Sequence, residues 1–190
     1  MTRGGPPAAL VGSATKRSVA FAVAILLAAC ANLAPLAPAA GDAFSGRLAL
    51  RVEPLGSAPA RAFSAAFDLR GDPGAGALGL STPLGSMLAQ ARWMPGEVVL
   101  VTPQGTRRFA DLDGLTREVL GESVPIEAWF DWLHGRPWPG APSATAAASA
   151  AGFEQLGWTV DLGRFGDGAV SARRSEPLPV VTVRIQLDRS

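Results

Sequence analysis

The sequence contains no tyrosine and only one each of cysteine, histidine and lysine, namely Cys30, His134 and Lys16. A single cysteine excludes an internal disulfide framework, and one cysteine with one histidine cannot form a His/Cys metal cluster. Any Ser-His-Asp device would have to use His134, but the sequence has no Gly-x-Ser-x-Gly elbow. His134 stands beside Gly135 at a predicted helix end, where we expect a structural role. We therefore predict a protein that is not an enzyme and that has no metal or other cofactor.

Positive charge is also scarce beyond the N-terminal region. From Cys30 onwards, the chain has fourteen arginines, no lysine and sixteen aspartates and glutamates, which gives a formal charge of −2. A nucleic-acid-binding protein would show a basic patch or stripe, so we expect no nucleic-acid partner. The same part of the chain holds all five tryptophans and is rich in apolar residues. This composition suggests that some of the apolar surface serves a ligand.

Two fragments match functional motifs but lack the context that those motifs need. Residues 74–79 fit the dinucleotide-binding fingerprint, yet residues 80–83 follow with no helical period, so a glycine-rich strand connection is the better interpretation. Residues 111–114 resemble the start of a calcium-binding loop, but the third oxygen ligand and the closing glutamate are misplaced. We interpret this second fragment as a turn and helix cap.

The N-terminal region has the features of a lipoprotein signal peptide. Two basic residues at 16–17 precede an apolar run, residues 18–27, which is too short to span a bilayer. The run leads through Leu-Ala-Ala at 27–29 to Cys30, which is the small-residue pattern of a lipobox. We predict that residues 1–29 are a signal peptide and that lipid is attached to Cys30. The alternative is an ordinary secretory signal cleaved nearby, with Cys30 incidental.

The residues after Cys30 predict where the chain is held. No acidic residue directly follows Cys30, and by resemblance to the lipoprotein sorting rules of proteobacteria this favours the outer membrane. Residues 30–42 are rich in alanine and proline, so we expect an extended, poorly ordered tether to a domain that spans residues 43–190. No other apolar run approaches the roughly 20 residues of a membrane-spanning helix, so we expect an anchored protein.

The first half of the domain alternates between apolar and polar residues with the period of half-buried strands. In residues 44–52 and 61–70, large apolar side chains share one face, and arginine, serine or aspartate take the other. Residues 87–102 contain two such runs joined by Met-Pro-Gly, which is a hairpin signal. The alternation returns in residues 157–162 and 181–187. Short strands with tight connections predict antiparallel pairing.

The middle of the domain changes to a helical period. Leu115 and Val119 share one face of a short predicted helix that Gly121 can end. A second predicted helix starts at Pro125. The alanine-rich residues 141–151 predict either a short helix or a mobile connection. The order of strands, helices and strands fits one curved antiparallel sheet whose concave face is covered by helices.

Two apolar stripes face each other in this arrangement, one on the sheet and one on the second helix at positions i, i+3, i+4 and i+7. Patterning alone is compatible with either a packed core or a cavity that holds acyl chains. The candidate acyl-chain-binding residues are Phe63, Phe67, Leu78, Leu80, Trp93, Ile126, Trp129, Phe130, Leu133 and Trp158.

The connection at residues 80–86 carries a separate signal. A turn made of Pro83, Leu84 and Gly85 between two strands should expose Leu84 at its tip, where the side chain contributes nothing to folding. A single exposed leucine is ordinary on any surface. On a membrane-tethered protein, however, an apolar loop tip can enter the bilayer, so these three residues are a candidate membrane-insertion loop.

Taken together, these features resemble the LolB family over about residues 44–187. The resemblance rests on the order and spacing of several short motifs behind a lipobox. They are Phe44-Ser45-Gly46-Arg47-Leu48, the aromatic strand at 63–67, the connection at 80–86, Leu120-Gly121 with Val124-Pro125, Trp129-x-x-Trp132-Leu133-x-Gly135-x-Pro137, and Phe153-x-Gln155-x-Gly157-Trp158-x-Val160.

This resemblance implies an open half-barrel of antiparallel strands under a helical lid, whose interior binds the acyl chains of lipoproteins delivered by the periplasmic carrier LolA. It also implies that the loop at 83–85 protrudes and that Leu84 promotes transfer into the outer membrane. The expected partners are LolA, acylated lipoprotein cargo and outer-membrane lipids, and we expect a monomer that faces the periplasm. We see no nucleotide-binding motif that would power the transfer. Two alternatives are a structural lipoprotein that scaffolds an envelope complex and a lipid-tethered periplasmic hydrolase.

Overall fold

The computed structural model describes residues 1, 5, 41–146 and 151–188. The chain divides into two units, Met1–Ala37 and Pro38–Ser190, and the account below concerns the described residues of the second. Cys30, the tether up to residue 40 and nearly all of the predicted signal peptide lie outside the described residues. Within the described part of the chain, no helix has both the length and the apolar character needed to cross a membrane.

The described residues of the second unit form eleven strands, two α-helices and one 3-10 turn. In chain order the elements are β1 (Asp42–Val52), β2 (Arg61–Gly71), β3 (Gly76–Ser81), β4 (Met87–Met94), β5 (Glu97–Thr102), β6 (Gly105–Phe109), α1 (Leu112–Leu120), α2 (Ile126–Trp132), β7 (Ser143–Thr145), β8 (Gly152–Gln155), β9 (Trp158–Asp161), the 3-10 turn (Phe165–Asp167), β10 (Ala169–Arg174) and β11 (Val181–Leu187).

All eleven strands belong to one sheet, in the order β6-β5-β4-β3-β2-β1-β11-β10-β9-β8-β7. Every neighbouring pair is antiparallel. The edge strands β6 and β7 do not pair with each other, so the sheet is open. With two helices packed on one face, this arrangement confirms the predicted open, curved antiparallel half-barrel covered by a helical lid.

Alternation along the strands decides which face the helices cover. In β1, Leu48, Leu50 and Val52 are buried, whereas Arg47 and Arg51 on the opposite face are exposed. The buried strand residues form one apolar cluster with the inward side chains of both helices. Burial of a leucine or valine side chain contributes roughly 1.5–3 kcal/mol, so this shared cluster holds the helices on the sheet.

Both motif fragments adopt the local structures that we expected. Asp111 is the N-cap of α1, and its carboxylate accepts a hydrogen bond of 2.7 Å from the backbone N–H of Gly114. The helix ends at Gly121, whose φ of 74° lies in the left-handed region. Residues 74–79 run from a hairpin connection into β3, and no helix starts there.

The described part of the alanine-rich segment, residues 141–146 and 151, contains a short strand and no helix. Ser143–Thr145 form a short edge strand that pairs with β8, with Thr145 opposite Phe153. Small side chains supply little helix-stabilising packing, whereas the open edge of β8 offers backbone groups to any extended neighbour. A strand therefore forms although the segment has no large apolar residues. Residues 147–150 lie outside the described part.

His134 follows directly after the C-terminal end of α2 and takes a structural position there. Its Nε2 lies 2.9 Å from Asp42 Oδ2, and its ring packs edge-on against Phe44 at 4.9 Å between centroids. These contacts connect the end of the helical layer to the first residues of β1.

The hairpin connections divide between two ends of the sheet, which we name after the two termini of β1. The Val52 end includes residues 53–60, 82–86, 103–104, 156–157 and 175–180, because Val52 pairs with Arg61 and Val181, and Val181 pairs with Arg174. The Asp42 end includes residues 72–75, 95–96 and 162–168.

Candidate functional site

An apolar cavity of about 60 Å³ lies between the sheet and the helical layer. Its walls come from strands β1 to β5, from α1, from the connection between the helices and from α2. Thr116 is the one lining residue with a polar side chain, and its hydroxyl accepts a hydrogen bond from the backbone N–H of Val124. The lining residues are Leu48, Leu50, Phe63, Leu78, Leu80, Ala89, Ala91, Leu100, Leu115, Thr116, Val119, Leu120, Val124, Ile126 and Trp129.

The ten predicted acyl-binding residues divide into two groups of equal size. Five of them line the cavity: Phe63, Leu78, Leu80, Ile126 and Trp129. The other five are buried elsewhere in the core: Phe67, Trp93, Phe130, Leu133 and Trp158. Within this second group, Trp93 packs edge-on against Phe130 at 6.1 Å between centroids. The structure thus brings only half of the predicted set to one void.

Sequence reasoning missed most of the cavity wall, although part of the signal was available. Leu48 and Leu50 share the inward face of β1, which the alternating pattern shows directly. Ala89 and Ala91 on β4 are too small to stand out as candidates, yet small side chains are what leave space beside larger neighbours. Hydrogen-bond register, which the sequence does not reveal, places them opposite Leu80 and Leu78.

The cavity reaches the surface at the Val52 end. Val119 lines it and is 46% exposed, and Phe63 and Leu120 are half-buried. The guanidinium of Arg61, which pairs with Val52 through its backbone, lies against Gly121 at the end of α1. The opening is therefore between the C-terminal end of α1 and the start of β2.

The candidate membrane-insertion loop leaves the sheet beside this opening. Its tip is Leu84, which is 95% exposed, as predicted. Thr82 closes the loop, because its carbonyl accepts a 2.9 Å hydrogen bond from Gly85 N–H and its N–H donates to the Ser86 carbonyl at 2.9 Å. The φ of +86° at Gly85 is a backbone conformation that favours glycine. The backbone thus holds the leucine outward, and the flanking Leu80 belongs to the cavity wall.

Comparison with known proteins identifies the family of this chain. The family model described as "Outer membrane lipoprotein LolB" matches residues 43–189. The chain belongs to the LolB family. It is 36% identical over 183 residues to the outer-membrane lipoprotein LolB of Bordetella petrii, covering 90% of this chain and 91% of the relative. The corresponding LolB of Bordetella pertussis is 35% identical, covering 87% and 88%, and that of Chromobacterium violaceum is 32% identical, covering 80% and 84%.

Membership of the LolB family determines the broad role of this chain. It is an outer-membrane lipoprotein that functions in lipoprotein localisation, and it is not an enzyme. The hydrolase alternative is therefore excluded. The lipid on Cys30 and the roles of individual cavity residues stay predictions.

A buried glutamine accounts for part of the motif at residues 153–160. Gln155 is 2% exposed, and its side-chain oxygen accepts hydrogen bonds from Trp132 Nε1–H at 2.8 Å and from Trp138 N–H at 2.9 Å. Its amide nitrogen donates to the carbonyls of Trp138 at 2.7 Å and Ala141 at 2.8 Å. This side chain thereby attaches the C-terminal end of α2 and the following segment to β8.

A buried ion pair attaches the connection between the helices to the sheet. The Arg174 side chain is 7% exposed, and its Nη2 donates to Glu122 Oε2 at 2.6 Å. Its Nη1 donates to the Ser123 carbonyl at 3.2 Å, and the guanidinium lies over the Trp158 ring at 5.7 Å. Gln155 thus holds the C-terminal end of α2, and this ion pair holds the connection that begins directly after α1.

The attachments of helix α1 differ from those of α2. Its ion pair to the sheet, between Glu118 and Arg107 of β6, is about half exposed on both sides, and such pairs contribute little. Its apolar side chains Leu115, Val119 and Leu120 line the cavity, and Leu115 also belongs to the buried apolar cluster. A helix that covers a void loses less packing when it moves than one that covers a filled core.

The carboxyl group of Glu127, whose pKa is raised, lies near the N-terminal ends of both helices. Burial raises the pKa of Glu127, in the first turn of α2, above its ordinary value. A hydrogen bond to its own backbone N–H opposes the shift, while the negative charges of Asp113 and Asp111 add to it. The raised pKa is a consequence of packing α2 beside the N-terminal end of α1.

Proposed function

We propose that this LolB-family chain accepts lipoproteins from the periplasmic carrier LolA, encloses their acyl chains between its sheet and its helices, and inserts them into the outer membrane without ATP. The observation that carries the proposal is the coincidence of an apolar cavity, its opening and an exposed leucine loop at one end of one sheet. We expect the chain to act as a monomer, held at the membrane by lipid on Cys30 and facing the periplasm.

The energetic requirement for such a carrier is large. Exposing about forty methylenes of a triacylated cargo to water would cost on the order of 30 kcal/mol, at roughly 0.8 kcal/mol each. An acceptor must therefore offer apolar surface before the donor releases the chains. Without a nucleotide to drive it, transfer must run from weaker to stronger binding, so the affinity of this cavity lies between those of LolA and the bilayer.

The cavity must enlarge before it can perform this task. A single water needs roughly 10–15 Å³ of such space, so about 60 Å³ holds only a few water-sized groups and no acyl chain. Helix α1 is the element we expect to move, because it supplies the exposed Val119 at the opening, whereas Gln155 holds the C-terminal end of α2. Its motion would widen the opening at Val119.

Filling the cavity should prevent acyl binding without unfolding the domain. Ala89 lines the cavity and is only half-buried, so Ala89→Phe places a ring in the space that an acyl chain would enter. We expect the affinity for a fluorescent fatty-acyl probe to fall at least about tenfold, since an acyl chain that loses even two buried methylenes loses about this factor. Ala43→Phe, on the exposed face of β1, is the matched control and should bind normally. Equal binding by the two variants would place the acyl chain elsewhere.

The experiment that tests the function is a transfer assay in solution. LolA is loaded with a radiolabelled lipoprotein, the unlipidated residues 31–190 are added without ATP, and the two proteins are separated. Movement of label to this chain would establish it as an acceptor. Label that stays on LolA, while circular dichroism shows a folded domain, would refute the proposal and favour a scaffold for an envelope complex.

A further inference from the structure

The exposed apolar side chains of the domain are concentrated at one end of the sheet. Among residues 41–146 and 151–188, eight large hydrophobic side chains are exposed. Two of them, Met94 and Phe165, lie in or beside connections at the Asp42 end. The other six lie at the Val52 end: Leu55, Leu84, Met87, Val119, Leu156 and Leu178. Singly exposed leucines are normal anywhere on a surface, but their collection at one end requires an explanation.

Four of these side chains lie in hairpin connections that are neighbours at the Val52 end of the sheet. The hairpins β4–β3, β2–β1, β11–β10 and β9–β8 follow one another in the sheet, and each has its connection at the Val52 end. Each of the four connections presents one exposed leucine: Leu84, Leu55, Leu178 and Leu156, in that order. We name these four connections the leucine rim. By contrast, residues 72–75 at the Asp42 end are Asp-Pro-Gly-Ala and expose no large apolar side chain.

Leu156 stands where the backbone disfavours a leucine. Its φ is 54° and that of Gly157 is 76°, so both residues of this two-residue turn are in the left-handed region. Asn-Gly is strongly preferred in such hairpin turns, because a side chain with a full Cβ is strained there. Leu156 is the only non-glycine residue with positive φ among those described. An exposed leucine in a strained backbone conformation does not stabilise the fold, so we expect it to contact another molecule or surface.

We infer that the leucine rim as a whole docks on the lipid bilayer, with Leu55, Leu178 and Leu156 entering the membrane interface beside Leu84. This inference rests on the proposed function, in which Leu84 faces the outer membrane. The rim contributes three further apolar contacts, so the sheet meets the membrane on four successive loops. The cavity opening between α1 and β2 lies at this end, so released acyl chains pass directly into the adjoining lipid.

A lipid surface fits this rim better than a protein partner does. The four leucines stand on four separate loops that also carry polar residues such as Ser57, Ser86 and Glu176, whereas the centre of a protein interface is typically a closely packed apolar core. A fluid interface can accept isolated side chains at different heights. The chain is also an outer-membrane lipoprotein, so the bilayer is the surface against which it is held.

Single-cysteine labelling tests the inference on the mature lipidated chain. Cys30 is the only cysteine, and lipid on its sulfur leaves an introduced thiol as the one site for an environment-sensitive fluorophore. Leu55→Cys, Leu84→Cys, Leu156→Cys and Leu178→Cys are labelled separately and reconstituted in vesicles of phosphatidylethanolamine with some phosphatidylglycerol. Ala75→Cys, at an exposed tip of the Asp42 end, is the matched control. Blue-shifted emission and quenching by lipid-borne quenchers are expected at all four rim positions and not at residue 75.

Labelling at these four positions distinguishes the leucine-rim proposal from the proposed membrane role of Leu84 alone. Insertion at residue 84 alone would refute the leucine rim and leave the role of Leu84 intact. Insertion at none of the four would overturn both the rim and the membrane role of Leu84. Protection of residues 55, 156 and 178 by added LolA, with no response to lipid, would assign the rim to a protein partner and refute a lipid surface.

The strained leucine provides a second, independent test. Leu156→Asn replaces it with the residue that the turn prefers, so the Tm should rise by about 2 °C or more. If Leu156 contacts lipid, the same change should lower the rate of cargo delivery to vesicles by about threefold, the loss expected for part of one leucine contact. Leu156→Met, which keeps the apolar contact, should deliver at the normal rate. A more stable Leu156→Asn variant with unchanged delivery would show that the leucine does not touch the membrane.

Discussion

Leu84→Asp should abolish delivery of cargo to the membrane while the domain still folds and still accepts acyl chains. Leu84 is 95% exposed, so its loss should change the free energy of unfolding by no more than about 0.5 kcal/mol. Moving a leucine side chain out of water gains roughly 1.5–3 kcal/mol, and a carboxylate at the same depth would oppose entry. Together these terms predict a fall in the delivery rate of about a hundredfold or more.

The measurement is transfer of radiolabelled lipoprotein from the loaded protein to vesicles, with the acceptor step assayed separately. Gln104→Asp is the matched control, because it adds the same charge to another exposed connection at the Val52 end that carries no leucine. Leu84→Met should deliver normally, since it keeps an apolar tip. Normal delivery by Leu84→Asp would show that the loop acts without entering the bilayer, and a defect in Gln104→Asp would attribute the effect to charge alone.

Local sequence signals were sufficient for the elements of the fold. Period-2 alternation identifies the long strands because one face of an open sheet is buried and the other is wet. Gly121 and Asp111 predict the ends of α1 through their own backbone and side-chain chemistry. The segment Ser143–Thr145 was not predictable, because its pairing depends on an open neighbouring edge and not on its own side chains.

The functional surfaces were predictable only where the local sequence around one residue was enough to show that the residue is exposed. Leu84 stood out because a Pro-Leu-Gly turn exposes it by itself. Leu55, Leu156 and Leu178 did not, since each is an ordinary exposed leucine until the strand register brings all three connections to one end. The division of the apolar stripe into cavity wall and filled core has the same origin. It depends on which side chains meet across the sheet, and periodicity does not contain that information.

Gln155→Leu should strongly destabilise the attachment of the helical layer to β8. It keeps the volume nearly constant but removes four hydrogen bonds, two to N–H groups of Trp132 and Trp138 and two to the carbonyls of Trp138 and Ala141. Each buried group left without a partner costs about 1–3 kcal/mol, and the apolar leucine recovers part of this. We expect a loss of about 4 kcal/mol in the free energy of unfolding, which lowers the urea midpoint by about 2 M.

The same variant distinguishes a fixed α2 from a mobile one. If Gln155 holds α2 while α1 moves, Gln155→Leu should allow α2 to open locally and expose Trp132. Tryptophan emission should then shift to the red at urea concentrations below the unfolding transition. Gln104→Leu, in an exposed turn, should leave both the midpoint and the emission unchanged. A normal midpoint for Gln155→Leu would mean that α2 does not depend on this attachment. Either helix could then open the cavity, and the assignment of the lid to α1 would fail.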